Sequence, residues 1–139
     1  MVQILEYTEG NIIAAKASKT LVASDYHKLL PLFVHRLKQY SHIRLYLDVT
    51  DLQGLALDEL REDMGFNTGL ASVFDKVALV GDNKSDPWLR NLSEYFISAE
   101  VNRYDSHEKT VAIDWLRQNR RNVRDLIQTT APATADILR

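Results

Sequence analysis

Residues 42–54, HIRLYLDVTDLQG, constrain the fold of this chain more than any other stretch. Ile43, Leu45, Leu47 and Val49 alternate with Arg44, Tyr46 and Asp48, the period-two spacing of a strand whose successive side chains point to opposite faces. Thr50 and Asp51 interrupt the run and Gly54 permits a turn, so the pattern predicts a buried strand followed by a polar loop. In open α/β sheets, ligands and partners meet the fold at the carboxyl ends of strands. The loop is therefore the first place to seek function.

The rest of the chain supplies neighbours for that strand. Two short apolar runs, residues 3–7 and 12–17, flank Thr8-Glu9-Gly10-Asn11, whose Gly and Asn suit the positive φ of a tight connection, and predict a β-hairpin. Tyr26, Leu29, Leu30, Phe33, Leu37 and Tyr40 fall at helical spacing opposite His27, Lys28, Arg36 and Lys38. Ser24 or the residue before it is the expected cap, and Pro31 predicts a kink or a late start. Residues 57–73 open with a helical pattern that Gly65, Asn67 and Gly69 weaken, predicting a short helix, a break and a second piece. Residues 76–80, KVALV, are apolar enough for a strand covered on both sides near the sheet centre. Asp86-Pro87-Trp88 starts a helix faced by Trp88, Leu92, Tyr95 and Phe96; residues 100–104 form a strand, and Ser106 caps a last helix through Val111, Ala112, Trp115 and Leu116. Alternating strands and helices favour parallel pairing through crossovers, with the hairpin adding an antiparallel edge.

At 139 residues, 45% hydrophobic and without cysteine, the chain suits one globular core and excludes disulfides, thiolate metal sites and a cysteine nucleophile. A net charge of −2 gives no general attraction to nucleic acid. No segment approaches the roughly 20 apolar residues of a membrane span, and the first residues lack a leader pattern, so a cytoplasmic protein is expected.

The segments LDVTDLQG, KVALVGD followed by DPW, SDY…LLPLF and VNRYDS…AIDWL together resemble the SpoIIAA-like proteins related to the STAS domain, also described as STAS/SEC14-like, over residues 5–116. The resemblance implies a small bacterial α/β sandwich without an assigned reaction. Anti-sigma-factor antagonists with this fold carry an Asp-Ser-Ser-Gly signature after the equivalent strand and are phosphorylated on its second serine. Here residues 53–57 read Gln-Gly-Leu-Ala-Leu and contain no serine. Thr50 is flanked by Asp48 and Asp51, whose charges oppose an added phosphate.

Asp48, Asp51, Asp82 and Asp86 are oxygen ligands if they converge, but Asp at strand ends ordinarily makes caps and turns. The four histidines show no ligand pairing, residues 81–85 lack the glycine pattern of a P-loop, and Arg117, Arg120, Arg121 and Arg124 read as a solvated helix face. The expectation is an α/β, STAS-like single domain over residues 1–120: a mixed, mostly parallel sheet, an N-terminal β-hairpin and about four helices. Residues 121–139 extend the last helix into a flexible tail. The leading functional expectation is a non-enzymatic regulatory module that binds a protein partner through Asp48, Thr50, Asp51, Gly54 and Leu55. The alternative is a carrier or sensor of a small apolar, lipid-like ligand held by Phe66, Phe74, Trp88, Tyr95 and Phe96, gated by residues 64–70. No catalytic set, metal or cofactor is expected, and an exposed edge or apolar helix face leaves self-association open, a homodimer being one outcome, without fixing a stoichiometry.

Overall fold

The computed structural model describes residues 1–56, 73–82 and 99–118, with Arg90, Leu92, Ser93 and Phe96. Five strands form one mixed sheet in sequence order: β1 (Val2–Ile4), β2 (Ile12–Leu21), β3 (Ile43–Leu55), β4 (Phe74–Val80) and β5 (Glu100–Tyr104). β1 pairs antiparallel with β2, and every later pair is parallel. The hairpin closes through Gly10, whose φ of +55° is the left-handed conformation that glycine adopts without penalty. Asn11 does not share it.

Helix α1 (Ala23–Leu37) connects β2 to β3, and helix α2 (Lys109–Arg117) follows β5 through a 3₁₀ turn at Ser106–Glu108. The helices cover opposite faces of the sheet. On one face Tyr26, Leu29 and Phe33 of α1 pack over Ile13, Ala15, Leu45, Leu47, Val77 and Leu79. On the other, Ala112, Ile113 and Leu116 of α2 pack over Ile12, Ala14, Tyr46, Ala78 and Val80. Coverage on both sides explains why β4 is apolar almost throughout. It also buries the polar-side residues of β3, Arg44, Tyr46 and Asp48, beneath α2, in keeping with the buried strand that the pattern predicts.

Several local expectations change. α1 runs through Pro31 and starts before it, so no late start occurs. Its first turn is held by Asp25 rather than Ser24: the Asp25 carboxylate accepts the Val22 N–H at 3.0 Å. The entry to α2 is fixed by Glu108, which accepts the Asp105 N–H at 2.9 Å, while the Ser106 hydroxyl donates to Asp82 instead of capping. Two α-helices are complete among the described residues, where about four are expected. The expected helices over 57–73 and 88–96 fall largely outside the described residues, as does the segment 121–139.

The predicted polar loop is absent. β3 continues through Thr50, Asp51 and Gln53 to Leu55 because β2 continues beside it and supplies backbone partners as far as Leu21. β4 does not follow: its last residue, Val80, stands opposite Asp48. Residues 49–55 therefore overhang the described end of β4.

Candidate functional site

The overhang has an irregular ladder. Lys16 pairs with Asp48, Ser18 with Asp51, Lys19 with Leu52 and Thr20 with Gly54, so β3 carries one extra residue at each of two register shifts. Such bulges are uncommon between parallel strands and re-aim the side chains beside them. Residues in register share a face of the sheet, so Asp48 and Asp51, three positions apart, both lie on the α2 face alongside Lys16 and Ser18. A regular strand would separate them.

The result is a cluster of alternating charge at the start of α2. Lys16 Nζ lies 2.9 Å from Asp51 Oδ2, and Lys109 Nζ lies 3.8 Å from Asp48 Oδ2. The Thr50 N–H donates to Asp48 Oδ1 at 2.9 Å. Asp48 is only 4% exposed, whereas Thr50 and Asp51 face solvent. The hydrogen bond to Asp51, reinforced by the charges of Asp51 and Asp48, raises Lys16 above the usual lysine range. Burial, with smaller contributions from Asp48 and Tyr7, pushes the Tyr46 hydroxyl above the usual phenol range. That hydroxyl has no hydrogen-bond partner among the described residues.

The structure thus brings Asp48, Thr50 and Asp51 together, with Gly54 and Leu55 further along the overhang. Gly54 does not form a turn; its φ is ordinary, and a Cβ built on it would meet nothing within 4 Å among the described residues. Leu55 is partly buried against the α1-side core. Lys16 and Lys109 complete the cluster and were not legible in sequence, because the register that places them is set by the bulges and by α2.

The aspartates do not form one oxygen cage. Asp48 and Asp51 meet the two lysines, Asp82 accepts the N–H and hydroxyl of Ser106 at 3.0 and 2.7 Å, and Asp86 lies outside the described residues. Asp105, His107 and Glu108 have ligand-type atoms within 4.8 Å of one another, but Glu108 is already engaged at the helix entry. Of the basic cluster, Arg117 pairs with Glu9 at 2.5 Å; Arg120, Arg121 and Arg124 lie outside the described residues.

The Phe74 and Phe96 ring centroids lie 5.2 Å apart, and Phe33 stands 5.4 Å from Phe74. They line a wholly apolar void of about 40 Å³ between α1 and the sheet, with Leu29, Leu47 and Leu92 among its walls. Phe66, Trp88 and Tyr95 lie outside the described residues.

At the far end of α2 are two cations that sequence reading passed over. Arg44 pairs with Asp75 at 3.0 Å and donates to the Leu116 carbonyl at 2.5 Å; Lys76 donates to the Trp115 carbonyl at 2.9 Å and lies 4.8 Å from the centre of the Trp115 ring. A lysine inside the otherwise apolar KVALV run was the available signal, since a strand covered on both faces must pair any charge it buries.

Four parallel strands with an antiparallel edge, and helices on both faces, define a mixed α/β domain of the STAS type. The chain belongs to the SpoIIAA-like family, whose model matches residues 12–117. A crystal structure of an uncharacterized protein from the DUF3478 family with a SpoIIAA-like fold, from Shewanella loihica PV-4, is similar with a TM-score of 0.64 and 25% identity, covering 83% of this chain and 93% of that one. No curated protein matches the sequence. No helix among the described residues is long and apolar enough to cross a membrane.

Proposed function

We propose that this chain is a non-enzymatic regulatory module that binds a protein partner through the β3 overhang, residues 50–55, and the charge cluster beside it. The overhang is the observation that supports the reading. Thr50, Asp51 and Gln53 are exposed on a strand that has passed the described end of β4, while Leu52 anchors that strand in the core. A surface on a rigid element, rather than a loop, presents side chains with little ordering cost on binding. The reading is non-enzymatic because the cluster's acids and bases are committed to each other: Asp51 to Lys16, and Asp48 to Lys109 and the Thr50 N–H.

The apolar-carrier alternative draws on the void beside Phe74 and Phe96. At about 40 Å³ it is far smaller than the roughly 300–1,000 Å³ of small-molecule pockets, so the interaction reading is preferred. An affinity pull-down from the native host, comparing wild type with the double variant Asp51→Ala/Leu55→Ala, tests the reading. Loss of a specific partner from the folded variant supports it; an unchanged partner set counts against it.

A further inference from the structure

We infer that the void between α1 and the sheet is a binding site for a small apolar guest, of the class of xenon, dioxygen or a short hydrocarbon. This is independent of the interaction reading, since the overhang takes no part in it. Size and lining carry it together. At about 40 Å³ the void exceeds the roughly 10–15 Å³ that a single water needs, so lack of room does not keep water out. Chemistry does. Among the described residues no polar atom faces the void, and a water placed there would give up its hydrogen bonds without replacement. An apolar guest has none to give up, and it gains dispersion contact with walls that otherwise face empty space. The same volume limits the guest to a few heavy atoms, which separates this class from lipid-like ligands.

The fold holds the void open. Protein interiors leave few voids larger than a water, because side chains settle until they touch. Here the elements on either side are spaced by ties of their own. α1 starts at Ala23, directly after β2 ends at Leu21, and near its other end Arg36 donates to the Gly10 carbonyl of the hairpin turn. The helix is thus secured at both ends and spans the void between them. Opposite it, Leu45 and Leu47 stand on β3, which is paired to β2 on one side and to β4 on the other. Phe33, Phe74 and Phe96 meet edge to face, at interplanar angles of 90° and 85°, so ring geometry sets the position of those walls.

The test is methyl NMR of the whole chain under xenon pressure. A guest site here predicts shifts that saturate with pressure at the methyls of Leu29, Leu45 and Leu47, which line the void. It predicts none at Ile12, Ile113 and Leu116, which pack on the other face of the sheet. Leu29→Phe fills the void from α1 and is expected to weaken xenon binding at least about tenfold. If that variant does not fold, Leu47→Phe makes the same comparison from β3. Water–methyl cross-relaxation in the wild type decides separately whether the void is dry, and a water found at these methyls overturns the inference. Shifts that rise linearly with pressure, appear equally on both faces or persist in the filled variant overturn it, as does the absence of any shift. Displacement of xenon by a long-chain fatty acid overturns the size limit and returns the void to the carrier reading.

Discussion

Arg44 and Lys76 stand opposite each other in register on β3 and β4, and both donate to a single acceptor, the carbonyl of Gln118, at 2.8 and 2.6 Å. An α-helix leaves its last carbonyls without intrahelical partners and carries partial negative charge at that end. Here the sheet answers both needs with two buried cations. α2 is thereby fixed at its carboxyl end, which in turn fixes Lys109 at its amino end beside Asp48.

Lys76→Met keeps much of the side-chain volume but withdraws a buried charged donor from the Trp115 and Gln118 carbonyls. It is expected to cost about 2 kcal/mol in urea denaturation. Arg117→Ala, which removes exposed pairs with Glu9 and Asp114, is expected to cost less than about 1 kcal/mol. Equal costs would show that the clamp does not hold α2.

Lys19 adopts φ +59° at the second register shift, a left-handed conformation that strains any residue with a Cβ. By strand parity its side chain would otherwise be directed towards the core beside Leu52. Lys19→Gly is expected to raise stability by about 0.5–1 kcal/mol, and Lys19→Val to lower it, because β-branching worsens the same strain. Thermal midpoints of the two variants check the sign.

Tyr46→Phe removes a buried hydroxyl that has no partner among the described residues. The expected gain is roughly 1 kcal/mol at neutral pH. The same hydroxyl titrates above its ordinary value in the folded chain, so above pH 10 the unfolded state releases a proton that the folded state retains. Stability from Tyr46 is therefore full below the unfolded value near 10 and is lost as pH rises through the folded one. Denaturation from pH 9 to 11 should show a shallower decline in Tyr46→Phe than in wild type.

Phe74 joins Phe33 to Phe96 in a chain of edge-to-face rings and is almost wholly buried. Phe74→Ala is expected to cost about 3–5 kcal/mol by enlarging the adjoining void. A cost below about 1 kcal/mol would show that the site collapses freely and does not form part of the core.

The local patterns were legible because local physics decides them. Gly10 marks the hairpin, the spacing from Tyr26 to Phe33 marks the buried side of α1, and the KVALV run marks an interior strand. The end of β3 was not legible, because Thr50, Asp51 and Gln53 have loop-like character and the strand persists only through pairing with β2. Asp48 and Asp51 are at a spacing that sends side chains to opposite faces, and a bulge overrides it. The partners of Arg44 were not legible for a similar reason: the carbonyls that accept from it lie more than seventy positions away, at the end of α2.

The most direct test of the overhang as a contact surface is photo-crosslinking in the native host from a benzophenone residue at Gln53. The control places it at Val34, exposed on α1. The account predicts one discrete protein adduct from position 53 and none of that mass from position 34. No adduct from position 53, or the same adducts from both, would contradict it.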